Sequence, residues 1–214
     1  MWESNLFAIG HFGLGYLLGK FSAKVTNVEI DLALLFTVSI LPDLDMLFFS
    51  FVQHRGPSHS IFFLLLPSIP FFVIYRKKAV PYIVALFSHT LIGDIFTGGT
   101  QLLWPFSSTW YNLSNFSVRS DFSVGMELSI FIVCTILMLF AKDFQKLFLN
   151  KTRLVYLLLS LGAVIGPLFM NFNFYFQLPT LLIIPSLFYV AVFSVVIFRL
   201  KFSNSKTQYP KDRC

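Results

Sequence analysis

Residues 178–198, LPTLLIIPSLFYVAVFSVVIF, run the length of a bilayer-spanning helix, about 20 residues, without one charge. LVYLLLSLGAVIGPLFMNF (154–172) is nearly as apolar. The rest of the chain has the same character. Only 12% of its 214 residues are charged and 56% are hydrophobic, where a soluble domain carries about 25% charge. A water-soluble fold is excluded, and an integral membrane protein of one domain is expected.

Apolar segments fall at 5–19, 32–53, 60–75, 79–97, 124–141, 154–172 and 178–198. They predict an all-α, polytopic transmembrane helical bundle over residues 1–200, with about five to seven membrane segments. The first and third are short enough to be tilted or re-entrant. The tail 201–214, KFSNSKTQYPKDRC, is polar and basic and is expected to be disordered.

The net charge of +6 does not imply a nucleic-acid partner, because the basic residues sit in short gaps between spans and form no basic stripe. Gaps rich in Lys and Arg (Lys20 with Lys24; Arg76-Lys77-Lys78; Lys142 to Arg153; the tail) alternate with poor ones at 54–59, 98–123 and 173–177. The positive-inside tendency puts the rich gaps and the C-terminus in the cytoplasm. The expected location is the cell (inner) membrane. Cys134 and Cys214 are too few for a disulfide framework.

The polar residues that interrupt these segments carry the function. They are His11; Asp43 and Asp45 in LPDLD; His54, Arg55 and His59 in HRGPSHS; His89 and Asp94 in SHTLIGDIFTGG; and Glu127. The crossing scheme, built from Lys and Arg alone, brings all of them to the outer face. Ionisable groups in a membrane are costly and mark function. Imidazoles beside carboxylates call for a divalent metal: zinc first, manganese or iron as alternatives. The set has enough donors for two ions clamping a phosphoester.

Local signals agree. Pro42 weakens its helix, and a break there lets Asp43 and Asp45 reach one centre, although an ideal helix would point them about 200° apart. Gly56-Pro57 marks a turn. Ser58 is a candidate cap for the next helix, which leaves His59 in the first turn. Arg55 has the fork for a phosphate. His89 and Asp94 are five apart, where one helical face favours three or four. Plainer readings stand beside these. His11 lies among Gly10, Gly13, Gly15 and Gly19, which suits close helix packing. Glu127 suits a helix N-terminus. Trp104-Pro105-Phe106 suits an interfacial aromatic belt. Asn112-Leu-Ser114 and Asn115-Phe-Ser117 fit glycosylation acceptors.

Taken together, the early His in a Gly-rich helix, LPDLD, HRGPSHS and SHTLIGDIFTGGTQLLWPF resemble the membrane-bound metal-dependent hydrolases of the YdjM-like family, over roughly residues 8–130. The resemblance implies an inner-membrane hydrolase with a polar signature on His11, Asp43, Asp45, His54, Arg55, His59, His89 and Asp94, and a later acid at Glu127. The commoner family pattern has its His and Asp four apart, and this chain departs from it. A looser analogy links the set to zinc-dependent phospholipase C enzymes.

The expected activity is metal-assisted hydrolysis of a phosphoester, with a membrane lipid as the most accessible substrate. The metal ligands would be His11, Asp43, Asp45, His54, His59, His89 and Asp94. Arg55 would hold phosphate, and Asp45 or Glu127 would act as general base. The alternatives are an ion or small-molecule transporter using the same groups, and a structural protein whose metal staples helices.

Overall fold

A computed structural model describes residues 7–48, 54–114, 120–149, 152–171 and 178–206. Asn115-Phe-Ser117, Arg119, Lys151, the gap 173–177 and the end of the tail with Cys214 lie outside the described residues. Regular structure among those described is helical; extended backbone pairs only at the isolated bridge Thr100–Tyr111.

Helix α1 (Ala8–Thr26) ends at Asn27, whose left-handed backbone (φ 51°) turns its N–H back to the Ala23 and Lys24 carbonyls. Helix α2 (Leu32–Ser39) starts where the Asp31 carboxylate accepts from the Ala33 and Leu34 N–H groups. It stops after eight residues. Pro42 has no N–H to continue the ladder and restricts the residue before it. The chain runs on as a 3₁₀ helix, Leu41–Phe48. Over its described residues, 32–48, the second apolar segment is therefore two short elements with the break beside its proline.

Helix α3 (Ile61–Tyr75) is capped by Ser60, which accepts from the Phe63 N–H at 3.1 Å. The expectation for Ser58 is corrected here. Pro57–His59 form their own 3₁₀ turn, so the helix begins two residues later than expected and Ser58 is free for another role. Helix α4 (Val80–Ser88) passes into a π turn, His89–Asp94. Helix α5 (Asp121–Phe140) is followed by the short α6 (Asp143–Leu149), which lies in a gap that the apolar pattern leaves open. Helices α7 (Leu154–Asn171) and α8 (Thr180–Lys206) complete the fold.

Helix α1 is the central element and packs against α2, α4 and α5. Its glycines permit this. A Cβ on Gly15 would stand 2.3 Å from the Ser39 Cβ, and one on Gly19 would stand 2.6 Å from the Leu35 Cδ1. Close packing and the polar role of His11 thus coexist on one helix. Phe12 meets Phe36, Tyr189 and Phe193 edge-on, with centroids 5.4, 5.1 and 5.6 Å away. Thr37 joins α2 to α7 by donating to the Tyr156 carbonyl at 2.9 Å, a polar tie of the kind used between helices in lipid.

Among the described residues, two helices reach the measure of a membrane span by length and composition, Asp121–Phe140 and Thr180–Phe202, with a shorter apolar stretch at Leu154–Gly166. Helix α3 is outward-facing and apolar along its length: Phe62, Leu66, Ile69, Val73 and Ile74 are all exposed.

Candidate metal centre

Four separate pieces of chain bring the predicted residues to one place. His11 comes from the end of the first turn of α1, Asp43 and Asp45 from the 3₁₀ helix, His54 and His59 from the following turn, and His89 and Asp94 from the π turn. His89 Nε2 lies 3.2 Å from Asp43 Oδ1, 3.4 Å from Asp94 Oδ2 and 3.2 Å from His59 Nε2. His59 Nε2 is 3.4 Å from each of the same carboxylates. His11 Nε2 is 3.9 Å from Asp43 Oδ2 and 3.8 Å from Asp94 Oδ1. His54 Nε2 reaches Asp43 Oδ1 at 4.0 Å. All four imidazoles therefore turn Nε2 toward Asp43, and those of His11, His59 and His89 also toward Asp94.

On His54, His59 and His89 the other ring nitrogen holds the ring there. His89 Nδ1 bonds the Ser39 carbonyl at 2.7 Å. A carbonyl only accepts, so Nδ1 carries a proton, and in the neutral ring this leaves the lone pair on Nε2. Asp45 holds two rings: its Oδ1 is 2.7 Å from His54 Nδ1, and its Oδ2 is 3.3 Å from His59 Nδ1. Ser58, which the sequence assigned to capping, donates to Asp45 at 2.5 Å and lies 3.0 Å from His59 Nδ1. His11 stacks flat on His89, with centroids 3.6 Å apart.

The five-residue spacing of His89 and Asp94 has a structural answer. The π turn covers these very residues. Its i→i+5 bonding puts residues five apart on one face, and such turns are frequent at functional sites.

Arg55 and Glu127 stand differently from the expectation. The Arg55 fork faces inward: Nη1 donates to the Thr97 carbonyl at 3.0 Å and Nη2 pairs with Asp94 Oδ1 at 3.0 Å. Its left-handed backbone (φ 61°) turns the chain at this point. Its carbonyl accepts from the Gln101 N–H and the Thr100 hydroxyl, which ties the loop after the π turn to the site. Glu127 is fully buried, and its Oε1 accepts from the Phe7 N–H at 3.1 Å. It caps α1, which has no side-chain cap of its own. The N-terminus it serves is that of another helix. Ser39 and Thr97 carried no signal in the sequence and Ser58 only that of a cap, because each acts across the fold.

The residues fit a divalent ion. With metal–ligand bonds near 2.0 Å, tetrahedral ligands stand about 3.3 Å apart, close to the 3.2–3.4 Å separations around His59 and His89. Both nitrogens of His11 and the Nε2 of His54 are buried without a hydrogen bond, and so are both oxygens of Asp94, whose contact with Arg55 is an ion pair only. Groups left like this are costly unless something else satisfies them. Three carboxylates, Asp43, Asp45 and Asp94, face one permanent cation, Arg55, leaving two negative charges over. Asp43, with 18% of its side chain exposed, is the open edge of the cluster.

No curated protein matches the chain, and no solved structure does. The model of the YdjM inner membrane protein family matches residues 7–172, which span the entire cluster and the helices that hold it. The chain belongs to the YdjM inner membrane protein family.

Proposed function

We propose that the protein is a multi-pass membrane enzyme that hydrolyses a phosphoester, such as a phospholipid, at a divalent metal held by His11, Asp43, His54, His59, His89 and Asp94. The observation that carries the reading is the convergence of the imidazole Nε2 atoms on Asp43 and Asp94, in a cluster whose three carboxylates outnumber its one permanent cation by two. Zinc suits this donor set, as do manganese and iron, and six donors suffice for a pair of ions. A divalent ion bound there supplies Lewis acidity and lowers the pKa of water toward about 7.

The chain's own residues do the rest. Asp45 and the Ser39 carbonyl keep the imidazole lone pairs aimed at the centre. Arg55 holds Asp94 in place and offsets part of its charge; its Nε is without a partner and remains the candidate phosphate contact. Glu127, occupied with α1, supports the placement of His11, and its second oxygen, buried without a partner, is the remaining candidate for general base. Asp43 marks the side from which substrate approaches.

Membrane placement follows from the family and the exposed apolar faces. An apolar face as long as that of α3 would be a large exposed patch in water, and lipid covers it. The two prolines inside α3 are tolerated in such a helix. The Lys-rich gaps orient the metal cluster to the extracytoplasmic side.

Elemental analysis of the detergent-purified protein beside a His59→Ala, Asp94→Ala double variant tests this. One or more equivalents of a divalent metal in the wild type, lost in the variant, are expected, together with metal-dependent release of product from phospholipid or phosphoester substrates. A wild type that takes up no metal after reconstitution overturns the reading.

A further inference from the structure

At the opposite end of α1 from His11 lies a cleft of about 1010 Å³ between α1, the start of α2, and the α5–α6 corner. Thirteen residues of helix separate His11 from Lys24, about 20 Å at 1.5 Å per residue. The floor of the cleft is Asp143, fully buried, which accepts from the Tyr16 hydroxyl at 2.9 Å, from Lys146 at 2.8 Å and from Lys20. Lys24 stands one turn beyond Lys20 on the same face of α1. It is exposed, and among the described residues its ammonium makes no ion pair.

Three ammonium groups thus line the cleft against the carboxylates of Asp143 and Glu29, an excess of one positive charge. The walls are of the other kind. Phe21 and Leu137 line the cleft and are 67% and 44% exposed. A small inorganic anion would balance the charge and leave those walls uncovered. A molecule with a phosphate at one end and acyl chains at the other satisfies both.

We propose that this cleft binds the headgroup of an anionic phospholipid, with its phosphate among Lys20, Lys24 and Lys146 and its chains against Phe21 and Leu137. The site is independent of the metal centre and of any reaction there.

The test titrates the purified full chain in detergent with short-chain phosphatidylglycerol, short-chain phosphatidylcholine and inorganic phosphate, read by calorimetry. Two variants accompany the wild type: Lys24→Gln, and Lys77→Gln, which changes an exposed lysine of the basic Arg76–Ala79 turn outside the cleft. Both are expected to unfold at the wild-type temperature, since both lysines are exposed and, among the described residues, neither ammonium makes an ion pair. Phosphatidylglycerol is expected to bind more tightly than the other two. Lys24→Gln is expected to weaken it about fivefold, the usual worth of one lysine near an anionic headgroup, and Lys77→Gln to leave it unchanged. Equal binding of phosphatidylcholine or of inorganic phosphate overturns the proposal. So does a Lys24→Gln variant that binds as the wild type, or a Lys77→Gln variant that weakens binding as much as Lys24→Gln.

Discussion

Asp45 holds two of the four imidazoles from behind, through His54 Nδ1 and His59 Nδ1. Carboxylates in this position fix the tautomer and the ring orientation of a ligating histidine, and their loss costs roughly 10–100-fold in metal affinity. Asp45→Asn is therefore expected to bind zinc about 10–100-fold more weakly, while His59→Ala, which removes a donor outright, loses more. Competition against a chelator measures both, and an Asp45→Asn variant with unchanged affinity would show that the rings are held by other means. At this scale the sequence was informative about which residues gather, since ionisable groups in apolar segments are few and expensive. It was poor on what each does. Arg55, Glu127 and Ser58 are polar residues whose partners are 42, 120 and 13 positions away in the chain, and no local pattern encodes such a partner.

Among the elements, the π turn settles the spacing of His89 and Asp94. A π turn is an α-helix with one residue added, and the flanking helix keeps its register around it. Deleting Ile92, an outward-facing residue of the turn, is expected to restore a plain α-helix with the two ligands four apart and to leave metal bound. Deleting Val84 from α4 instead rotates both ligands by about 100° about the helix axis and is expected to abolish binding. Metal content of the two purified variants distinguishes them, and loss in both would mean that the π geometry itself is required. The break at Pro42 was legible in advance because proline acts locally. The π turn was not, because nothing in HTLIGD forbids an α-helix; the extra residue is accommodated by what α1 and the turn at His59 require of this one.

For the whole molecule, α1 is the axis that joins the His/Asp cluster at one end to a basic end, and Asp143 locks the latter. Burial works to raise its carboxyl, but the hydrogen bonds from Lys146, Lys20 and Tyr16 outweigh it and hold the group below its ordinary value of 3.8. The unfolded chain then takes up the proton more readily than the folded one. The stabilisation is fully present above the ordinary carboxylate range and is lost as pH falls through the lower folded value. Thermal unfolding measured down to acid pH is expected to lose this contribution in the wild type, and Asp143→Ala to lack it throughout. That variant also leaves the Tyr16 hydroxyl without its acceptor, at a cost of about 1–3 kcal/mol near neutral pH. A variant with the acid sensitivity of the wild type would place the sensitive group elsewhere.

Composition and hydropathy by themselves determined the helical class and the membrane setting, because lipid forces the backbone to satisfy its own hydrogen bonds. The short motifs determined which residues meet. How they meet was decided only by tertiary structure: Nε2 inward, Nδ1 of His54, His59 and His89 tied back, Arg55 turned onto Asp94, Glu127 spent on another helix. Those orientations depend on Ser39, Thr97 and Phe7 arriving from distant parts of the chain, and such contacts exist only once the helices have packed.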